Sequence, residues 1–317
     1  MTSMRDIELL AQALVSRAVP SPVAPLSSRE FWEVARTAPL DALPGRTATQ
    51  LSADLGLTPK IAERVPDLLG RTRALALATE ELKHKGFWVL TGVSDSYPPR
   101  LRDRLGDNAP GLLTGVGNAA LIHEDGLGVV GSRDIPLESI DVARRLARAA
   151  TDHGIPIVSG AARGVDQHAM NAAFQFGGRV VGVLADSLTR AASGPATRRG
   201  IASEQICLVT PYSPNAPFST GNAMGRNKVI YALSRAVVIV RSEEGSGGTW
   251  AGATEALSKK YSTVYSWLGA GTTSGNEALL REGARALHPD DDLVAVLNGP
   301  PVEGGPKSHD SISVALF

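Results

Sequence analysis

From residue 126 onward, short apolar runs alternate with stretches in which apolar residues recur every three or four positions. The runs are Leu127–Val130, Ile155–Val158, Val180–Leu184, Ile206–Val209, Val237–Val240 and Thr263–Trp267. The stretches that follow or separate them are 138–152, 166–176, 222–234, 249–260 and 276–285, whereas 185–205 lacks periodicity and is predicted as a loop. Continuous apolar strands that alternate with helices are typical of a parallel sheet covered by helices on both faces. We therefore predict an α/β domain of this kind.

The first 85 residues have helical patterns instead. Ser27 and Glu30 stand three residues apart before an aromatic pair, which predicts a capping box, and Thr58-Pro59 predicts another helix start. Leu68 to His84 is a further helical stretch. The predicted organisation is a small helical N-terminal domain (1–85), an α/β domain (86–297) and a flexible tail rich in proline and glycine (298–317).

Composition limits the classes of function. The formal net charge of the 317 residues is zero, so any nucleic-acid site must be a local patch. Nine arginines against six carboxylates between residues 133 and 199 fit such a patch. The one cysteine, Cys207, allows no intrachain disulfide and is expected to be a buried apolar residue. No signal-like or membrane-spanning apolar segment occurs, so we expect a cytoplasmic protein that does not contact a membrane.

Gly131-Ser132-Arg133 lies between a predicted strand and a predicted helix. Glycine permits a tight turn, the free N–H groups of a helix start favour an anion, and Arg133 adds a cation with planar donors. Alone, the segment equally fits a plain turn with a surface arginine. Ligands of parallel sheets bind at this end of the strands, so we count these residues as candidates.

The next strand–helix junction runs from Ser159 to Asp166. Gly160 and Gly164 flank Arg163, and the small residues leave room for a backbone or a base. We expect Asp166 to be the N-cap of the following helix. Ser159, Gly160, Arg163 and Gly164 are candidate binding residues.

Two more candidate segments lie nearer the C-terminus. Arg226-Asn227-Lys228 places two cations around an amide, although alone it also fits a solvated basic turn. The successive N–H groups of Ser246-Gly247-Gly248-Thr249 can form an anion nest. Neither a Walker A loop nor Gly-x-Gly-x-x-Gly occurs, and no histidine pair has metal-ligand spacing, so we expect no cofactor and no metal site.

These segments occur in an order that resembles the DNA-processing protein A (DprA/Smf) family. The matching segments, within roughly residues 86–290, are 95–101, 129–133, 158–166, 225–230 with 233–234, 246–249, and 274–280 with 283–284. Each motif alone is weak, whereas the ordered set at strand–helix junctions is a strong signal.

The resemblance implies an extended Rossmann-like fold that binds single-stranded DNA, protects the strand, forms a homodimer and helps to load a RecA-type recombinase in transformation or repair. It also implies a pocket lined by Arg133, Gly160, Arg163, Arg226, Asn227 and Lys228. We therefore predict a single-stranded DNA-binding protein without catalytic residues. The candidate nucleic-acid or nucleotide-binding residues are Gly131, Ser132, Arg133, Ser159, Gly160, Arg163, Gly164, Arg226, Asn227, Lys228, Ser246, Gly247, Gly248 and Thr249.

The chain also departs from the family pattern. Lys228 stands where the family usually has a third arginine, Met170 stands where it has a histidine, and 185–188 replaces a glycine and a Tyr-Pro pair. We expect a divergent member that lacks the C-terminal winged-helix domain carried by many members.

Two other functions remain open at this point. The chain could be a nucleotide sensor or the regulatory subunit of a phage-defence or toxin–antitoxin system, with a toxin as partner. It could also be a nucleotide hydrolase, for which only Asp166 and Glu255 offer a catalytic carboxylate. Base stacking would need aromatic side chains, but we expect buried packing for the candidates Phe218, Tyr231 and Trp250.

Overall fold

The computed structural model describes residues 3–293 and 296, and the predicted tail 298–317 lies outside the described residues. The described residues divide into two compact units, the first comprising residues 3–114 and 211–214, the second residues 115–210, 215–293 and 296. The first unit includes a strand beyond residue 85, and the domain boundary predicted there stays a prediction.

The first unit is mainly helical because its apolar residues recur with helical spacing. Its elements are α1 (Met4–Val15), α2 (Ser28–Thr37), α3 (Ala48–Leu55), α4 (Pro59–Ala62), α5 (Val65–Leu69), α6 (Thr72–His84), β1 (Phe87–Thr91) and α7 (Pro99–Leu105), and β2 (Leu112–Gly117) spans the division. The predicted capping box is confirmed: Ser27 Oγ accepts from the Glu30 backbone N–H, and the Glu30 carboxylate accepts from the Ser27 N–H. Thr58 precedes α4 as predicted, with proline at the first helical position.

An aromatic cluster of the first unit holds the segment Tyr97-Pro98-Pro99 in place. The buried Trp32 indole donates to the Ala109 carbonyl at 2.8 Å, and the Tyr97 hydroxyl donates to the Pro110 carbonyl at 2.7 Å. The Arg102 guanidinium carbon lies 4.0 Å from the centre of the Trp32 ring. A buried hydroxyl or indole N–H requires a partner, so these residues anchor the turn before β2.

The second unit has the predicted alternation of strands and helices. Its elements are β3 (Gly126–Gly131), α8 (Leu137–Asp152), β4 (Ile157–Ser159), α9 (Val165–Gln175), β5 (Val180–Val183), α10 (Leu188–Ser193), α11 (Pro195–Ala202), β6 (Ile206–Thr210), α12 (Thr220–Leu233), β7 (Ser234–Arg241), α13 (Gly247–Lys259), β8 (Thr263–Trp267), α14 (Ser274–Arg281) and β9 (Arg285–Leu287). Strands β3 to β9 lie in the order β6-β5-β4-β3-β7-β8-β9, and neighbouring strands are parallel. Right-handed crossovers put the helices of the two halves on opposite faces, so the predicted Rossmann-like fold is confirmed.

The strand order reverses at β3. The chain proceeds from β3 outward to β6 and then returns, through α12, to place β7 on the other side of β3. In open parallel sheets, the crevice at such a reversal, beyond the carboxyl ends of the strands, is where ligands bind. The topology therefore places a candidate site beyond β3 and β7.

The prediction of a loop over 185–205 was wrong, because α10 and α11 occupy most of it. Ser187 Oγ accepts from the Arg190 backbone N–H at the start of α10, and Pro195 occupies the first turn of α11. Helices of six and eight residues are too short to show a clear apolar period. Cys207 is buried as expected.

The segment 274–280, which resembles the family pattern, has a structural role at the start of α14. Asn276 is fully buried and donates to the carbonyls of Ile239 and Trp267 at 3.2 and 3.0 Å. Its side-chain oxygen accepts from the Ser242 N–H at 3.0 Å. Asn276 thereby ties α14 to the carboxyl ends of β7 and β8.

Within the described part of the chain, none of the helices combines the length and the apolar character needed to cross a bilayer.

Changing Glu30 to Gln should make the first unit less stable at neutral pH. Burial raises the pKa of Glu30, but hydrogen bonds from Ser27 and Arg64 outweigh burial and lower it overall. A carboxyl whose pKa is lowered in the folded state stabilises the fold at pH values above its ordinary pKa of about 4.3. This stabilisation is lost as the pH falls through the lowered pKa. We expect a loss of about 1–2 kcal/mol at pH 7 that shrinks in acid, measured by urea unfolding at both pH values. Glu63→Gln, at an exposed position, is the control, and an equal effect of both changes would contradict this role.

Candidate functional site

A cleft opens in the second unit at the point where the strand order reverses. Its volume is about 730 Å³, and its lining comes from the loop after β3, from Ala162 and Asp166 after β4, from α12 with the residues before it, and from the loop after β7. Nine of the candidate residues line it: Gly131, Ser132, Arg133, Arg226, Asn227, Ser246, Gly247, Gly248 and Thr249. Five do not: Ser159, Gly160, Arg163, Gly164 and Lys228.

A buried ion pair forms the floor of the cleft. Arg226 and Asp166 are both at least nine-tenths buried, with 3.8 Å between Arg226 Nη1 and Asp166 Oδ2. The Asp166 carboxylate accepts from the Gly160 N–H at 3.1 Å and also from the N–H groups of Gly131 and Ala162. Burial raises the pKa of Asp166, against the opposing effects of Arg226 and these N–H groups.

The expectation that Asp166 caps α9 was wrong. The N-cap is Gly164, and Asp166 is the second residue of the helix. Its side chain turns inward to the loop amides of β3 and β4, where three donors and a guanidinium satisfy it better than a single capping bond. On the other side, Arg226 Nη1 donates to the Val183 carbonyl at 3.1 Å, which links α12 to the end of β5.

The small residues of the β4 loop are required by packing. A Cβ at Gly160 would overlap the Arg226 guanidinium. Gly164 has a φ of +92°, and a Cβ there would lie 2.7 Å from the Arg133 Cα. Ser159 is buried, and its hydroxyl donates to the Val129 carbonyl at 2.6 Å. These three residues hold the β4 loop against the β3 loop.

The four predicted cations have different surroundings. Arg133 is exposed and makes no ion pair with any described residue. Arg163 is also exposed, with Nη2 2.6 Å from an Asp134 carboxylate oxygen, whereas Lys228 Nζ lies 2.9 Å from Glu255 Oε1. With Arg226 buried, the exposed positive charge near the cleft comes from the β3 and β4 loops.

Phe218 lies at the mouth of the cleft beside Arg133. The Arg133 guanidinium carbon is 5.4 Å from the centre of the Phe218 ring, within the range of a cation–π contact. The expected burial of Phe218 was wrong, since 53% of it is exposed, because the segment before α12 reaches the surface. Tyr231 is buried as expected, burial raises its pKa, and Trp250 is partly buried.

The glycine-rich loop after β7 forms the opposite wall. Ser246 precedes α13 without a side-chain capping bond, and residues 246–248 are exposed. Asn227 Nδ2 donates to the Gly248 carbonyl at 3.2 Å, so α12 supports this loop from below. The N–H groups at the start of a helix attract anions, which makes this wall suitable for a phosphate.

The cleft is close to neutral overall. Its charged lining residues are Arg133, Asp134, Asp166, Arg226 and Glu243. Asp166 and Arg226 neutralise each other, Asp134 contacts Arg163, and Glu243 accepts from Arg241 at 3.2 Å. The site therefore offers a few placed contacts to a ligand and no broad positive field.

The two carboxylates considered for hydrolysis both have other partners. Asp166 lies beneath the surface in the ion pair, and Glu255 contacts Lys228 and accepts from the Tyr261 hydroxyl at 3.4 Å. Among the residues that the structure describes, no group of three or more His, Cys, Asp or Glu side chains is placed to hold a metal ion.

Comparison with known proteins gives consistent matches. The family model for DNA recombination-mediator protein A matches residues 88–298. A Mycobacterium tuberculosis protein named as a DNA processing protein DprA is 27% identical over 312 residues, covering 92% of this chain and 75% of the relative. The DNA processing protein DprA of Streptococcus pneumoniae is 27% identical over 224 residues, covering 69% of this chain and 76% of the relative.

Solved structures share the fold. The crystal structure of DNA processing protein A from Streptococcus pneumoniae has a TM-score of 0.67 at 21% identity, covering 90% of this chain and 95% of the other. DNA processing protein A from Helicobacter pylori, described for its single-stranded DNA binding mode, has a TM-score of 0.55 at 24% identity, covering 67% and 94%.

Changing Asp166 to Asn should strongly destabilise the second unit. The amide removes the charge that compensates the buried Arg226, and breaking one side of a buried pair costs about 3–5 kcal/mol. Asp134→Asn is the matched control, because it breaks an exposed pair worth less than about 1 kcal/mol. Urea unfolding measures the free energy of unfolding of both variants. Equal losses of stability would show that the buried pair does not hold the loops together.

Changing Gly160 to Ala should lower the free energy of unfolding by about 1–3 kcal/mol, because the added methyl group displaces the Arg226 guanidinium. Gly221→Ala is the control: its Cβ would meet nothing closer than Ser219 Oγ at 3.9 Å. Alanine at this helical position should leave stability unchanged or raise it slightly. Thermal unfolding compares the two, and a harmless Gly160→Ala would contradict the packing role.

Proposed function

Since the chain belongs to the DNA recombination-mediator protein A family, we propose that its cleft binds single-stranded DNA and catalyses no reaction on it. The family name describes a role in DNA recombination, and a structural relative is described by its single-stranded DNA binding mode. The cleft lies in the part of this chain that the family model matches.

The observation that carries the proposal is the exposed Phe218 ring beside the Arg133 guanidinium. Proteins that bind single strands stack bases on aromatic rings and hold phosphates with nearby cations. Among the described residues, Phe218 is the aromatic side chain with the greatest exposure, and it stands at the mouth of the cleft. The pair therefore offers a base and its phosphate adjoining contacts.

The opposite wall can receive a second phosphate. Residues 246–249 at the start of α13 line the same cleft, Asn227 keeps their loop in place, and the N–H groups of a helix start attract anions. A ligand that spans both walls would present a base between two phosphates, which is the repeating unit of a single strand. A base pair within a duplex would hide the face that Phe218 needs.

A nucleotide-sensing role is the second candidate, and the size and neutrality of the cleft favour it. A volume of about 730 Å³ is in the range of small-molecule sites, and the lining has no excess of cations. A sensor would bind a mononucleotide as tightly as an oligonucleotide. The two functions therefore differ in how affinity depends on ligand length.

A RecA-type recombinase as partner and a homodimer remain predictions from the resemblance, and a cytoplasmic location remains a prediction from the apolar pattern of the sequence. The absence of catalysis also remains a prediction, and the ion pairs of Asp166 with Arg226 and of Glu255 with Lys228 support it. The proposal for the cleft does not depend on any of them.

Arg133→Ala and Phe218→Ala should each weaken binding of a labelled single-stranded oligonucleotide about tenfold, a loss of about 1.4 kcal/mol. Fluorescence anisotropy across a salt series measures the affinity, and Arg133→Ala should also reduce the slope of its logarithm against salt by about 0.7. Duplex DNA should bind more weakly than the single strand.

Arg148 and Phe176 provide the matched control. Their cation–π distance is 5.1 Å, but they lie on α8 and at the end of α9, and neither lines the cleft. Arg148→Ala should leave the affinity unchanged. An equal loss for Arg133→Ala and Arg148→Ala would contradict the assignment to the cleft, and displacement of the oligonucleotide by equimolar mononucleotide would favour the sensor.

A further inference from the structure

Charged side chains are unevenly distributed on the two sides of the cleft. On one side, the loop after β4 carries Arg163 and the short helix α10 after β5 carries Arg190, and their side chains are 70% and 73% exposed. Asp186 is the one carboxylate in the β4 loop, the β5 loop and α10, whereas Asp134, the partner of Arg163, belongs to the β3 loop. Within these three segments, arginines therefore outnumber carboxylates by two to one.

The other side has the opposite balance. The loop after β7 carries Glu243 and Glu244, both about half exposed, and Glu277 is exposed on the first turn of α14. Arg241 and Arg281 contact the two loop carboxylates, at 3.2 and 2.8 Å. Carboxylate exceeds arginine here, so a polyanion that left the cleft over β7 and β8 would meet net repulsion.

The end of β5 adjoins the floor of the cleft. Arg226, which lines the cleft, donates to the carbonyl of Val183, the last residue of β5. Asp186 follows three residues later, at most about 11 Å along the chain. Asp186 forms an ion pair with Arg190, and the Arg190 N–H donates to Ser187 Oγ at 3.2 Å. Arg190 is thereby held near the cleft on the side of β4 and β5.

We propose that a bound single strand leaves the cleft across the ends of β4 and β5, where its phosphates replace the carboxylate partners of Arg163 and Arg190. Exposed ion pairs contribute little to stability, so exchanging a carboxylate for a phosphate costs little. Arginine binds phosphate through two parallel hydrogen bonds, which favours the exchange. The proposal rests on the proposed function and adds the direction of the strand and Arg190 as a contact.

The experiment compares two charge reversals that are matched in exposure. Arg190 and Arg281 are 73% and 68% exposed, and each contacts one carboxylate, but they lie on opposite sides of the cleft. Arg190→Glu and Arg281→Glu are titrated by anisotropy with labelled oligothymidylates of about 5 and about 20 nucleotides, a range that brackets common site sizes.

Arg190→Glu should lower the affinity for the long oligonucleotide about fivefold or more, which is the effect expected of one exposed charge contact. It should lower the affinity for the short oligonucleotide less. For the long oligonucleotide, it should also reduce the slope of the logarithm of affinity against the logarithm of salt concentration by about 0.7. Arg281→Glu should leave the affinity for both unchanged. Arg190→Ala should give a smaller loss in the same direction.

If Arg281→Glu lowered the affinity for the long oligonucleotide as much as Arg190→Glu or more, the proposed path would be overturned. Unchanged affinity of Arg190→Glu for the long oligonucleotide would also overturn it. If the unaltered protein bound neither oligonucleotide, the proposed function itself would fail, which is distinguishable from a wrong path.

Discussion

The second unit depends on the buried ion pair between Asp166 and Arg226. Two charges removed from water are stable only when they face each other and their remaining hydrogen-bonding groups are satisfied. Here the amides of Gly131, Gly160 and Ala162 serve the carboxylate, and the Val183 carbonyl accepts from the guanidinium. This requirement brings the ends of β3, β4 and β5 against α12. The floor of the cleft is therefore set by electrostatics in the interior and only indirectly by the ligand.

Arg226 is paired with Asp166 in the interior, and Lys228 is paired with Glu255. Few of the predicted cations therefore remain for a ligand. Arg133 and Arg163 are the exposed ones among the predicted four. A site with so few charges gains affinity from placement, through the Phe218 ring and the α13 amides, more than from a broad field. This agrees with a chain whose formal net charge is zero. Recognition of a strand by such a surface should depend on local geometry at each contact.

The sequence predicted the strands of the second unit well, because strands buried on both faces are continuous apolar runs. It also indicated the β3 and β7 loops of the cleft, because a glycine-rich segment between a strand and a helix can bind an anion. It could not show that Arg226 is buried, because a charged residue in a helix normally faces solvent. The exposure of Phe218 was equally hidden, since an aromatic residue near a helix start usually packs inside. The helices α10 and α11 were missed because they are short.

The position of β7 beside β3 has a consequence for the order of folding. Val129 pairs with Val238, and the entire β4–β6 half lies between them in the chain. Such non-local pairing is slow, because a long loop must close before any contact forms. During synthesis from the N-terminus, β3 and β4 emerge well before β7. Until β7 inserts, β3 presents an unpaired apolar edge, so the newly made chain is most vulnerable to wrong pairing at the strand that later forms the centre of its binding site.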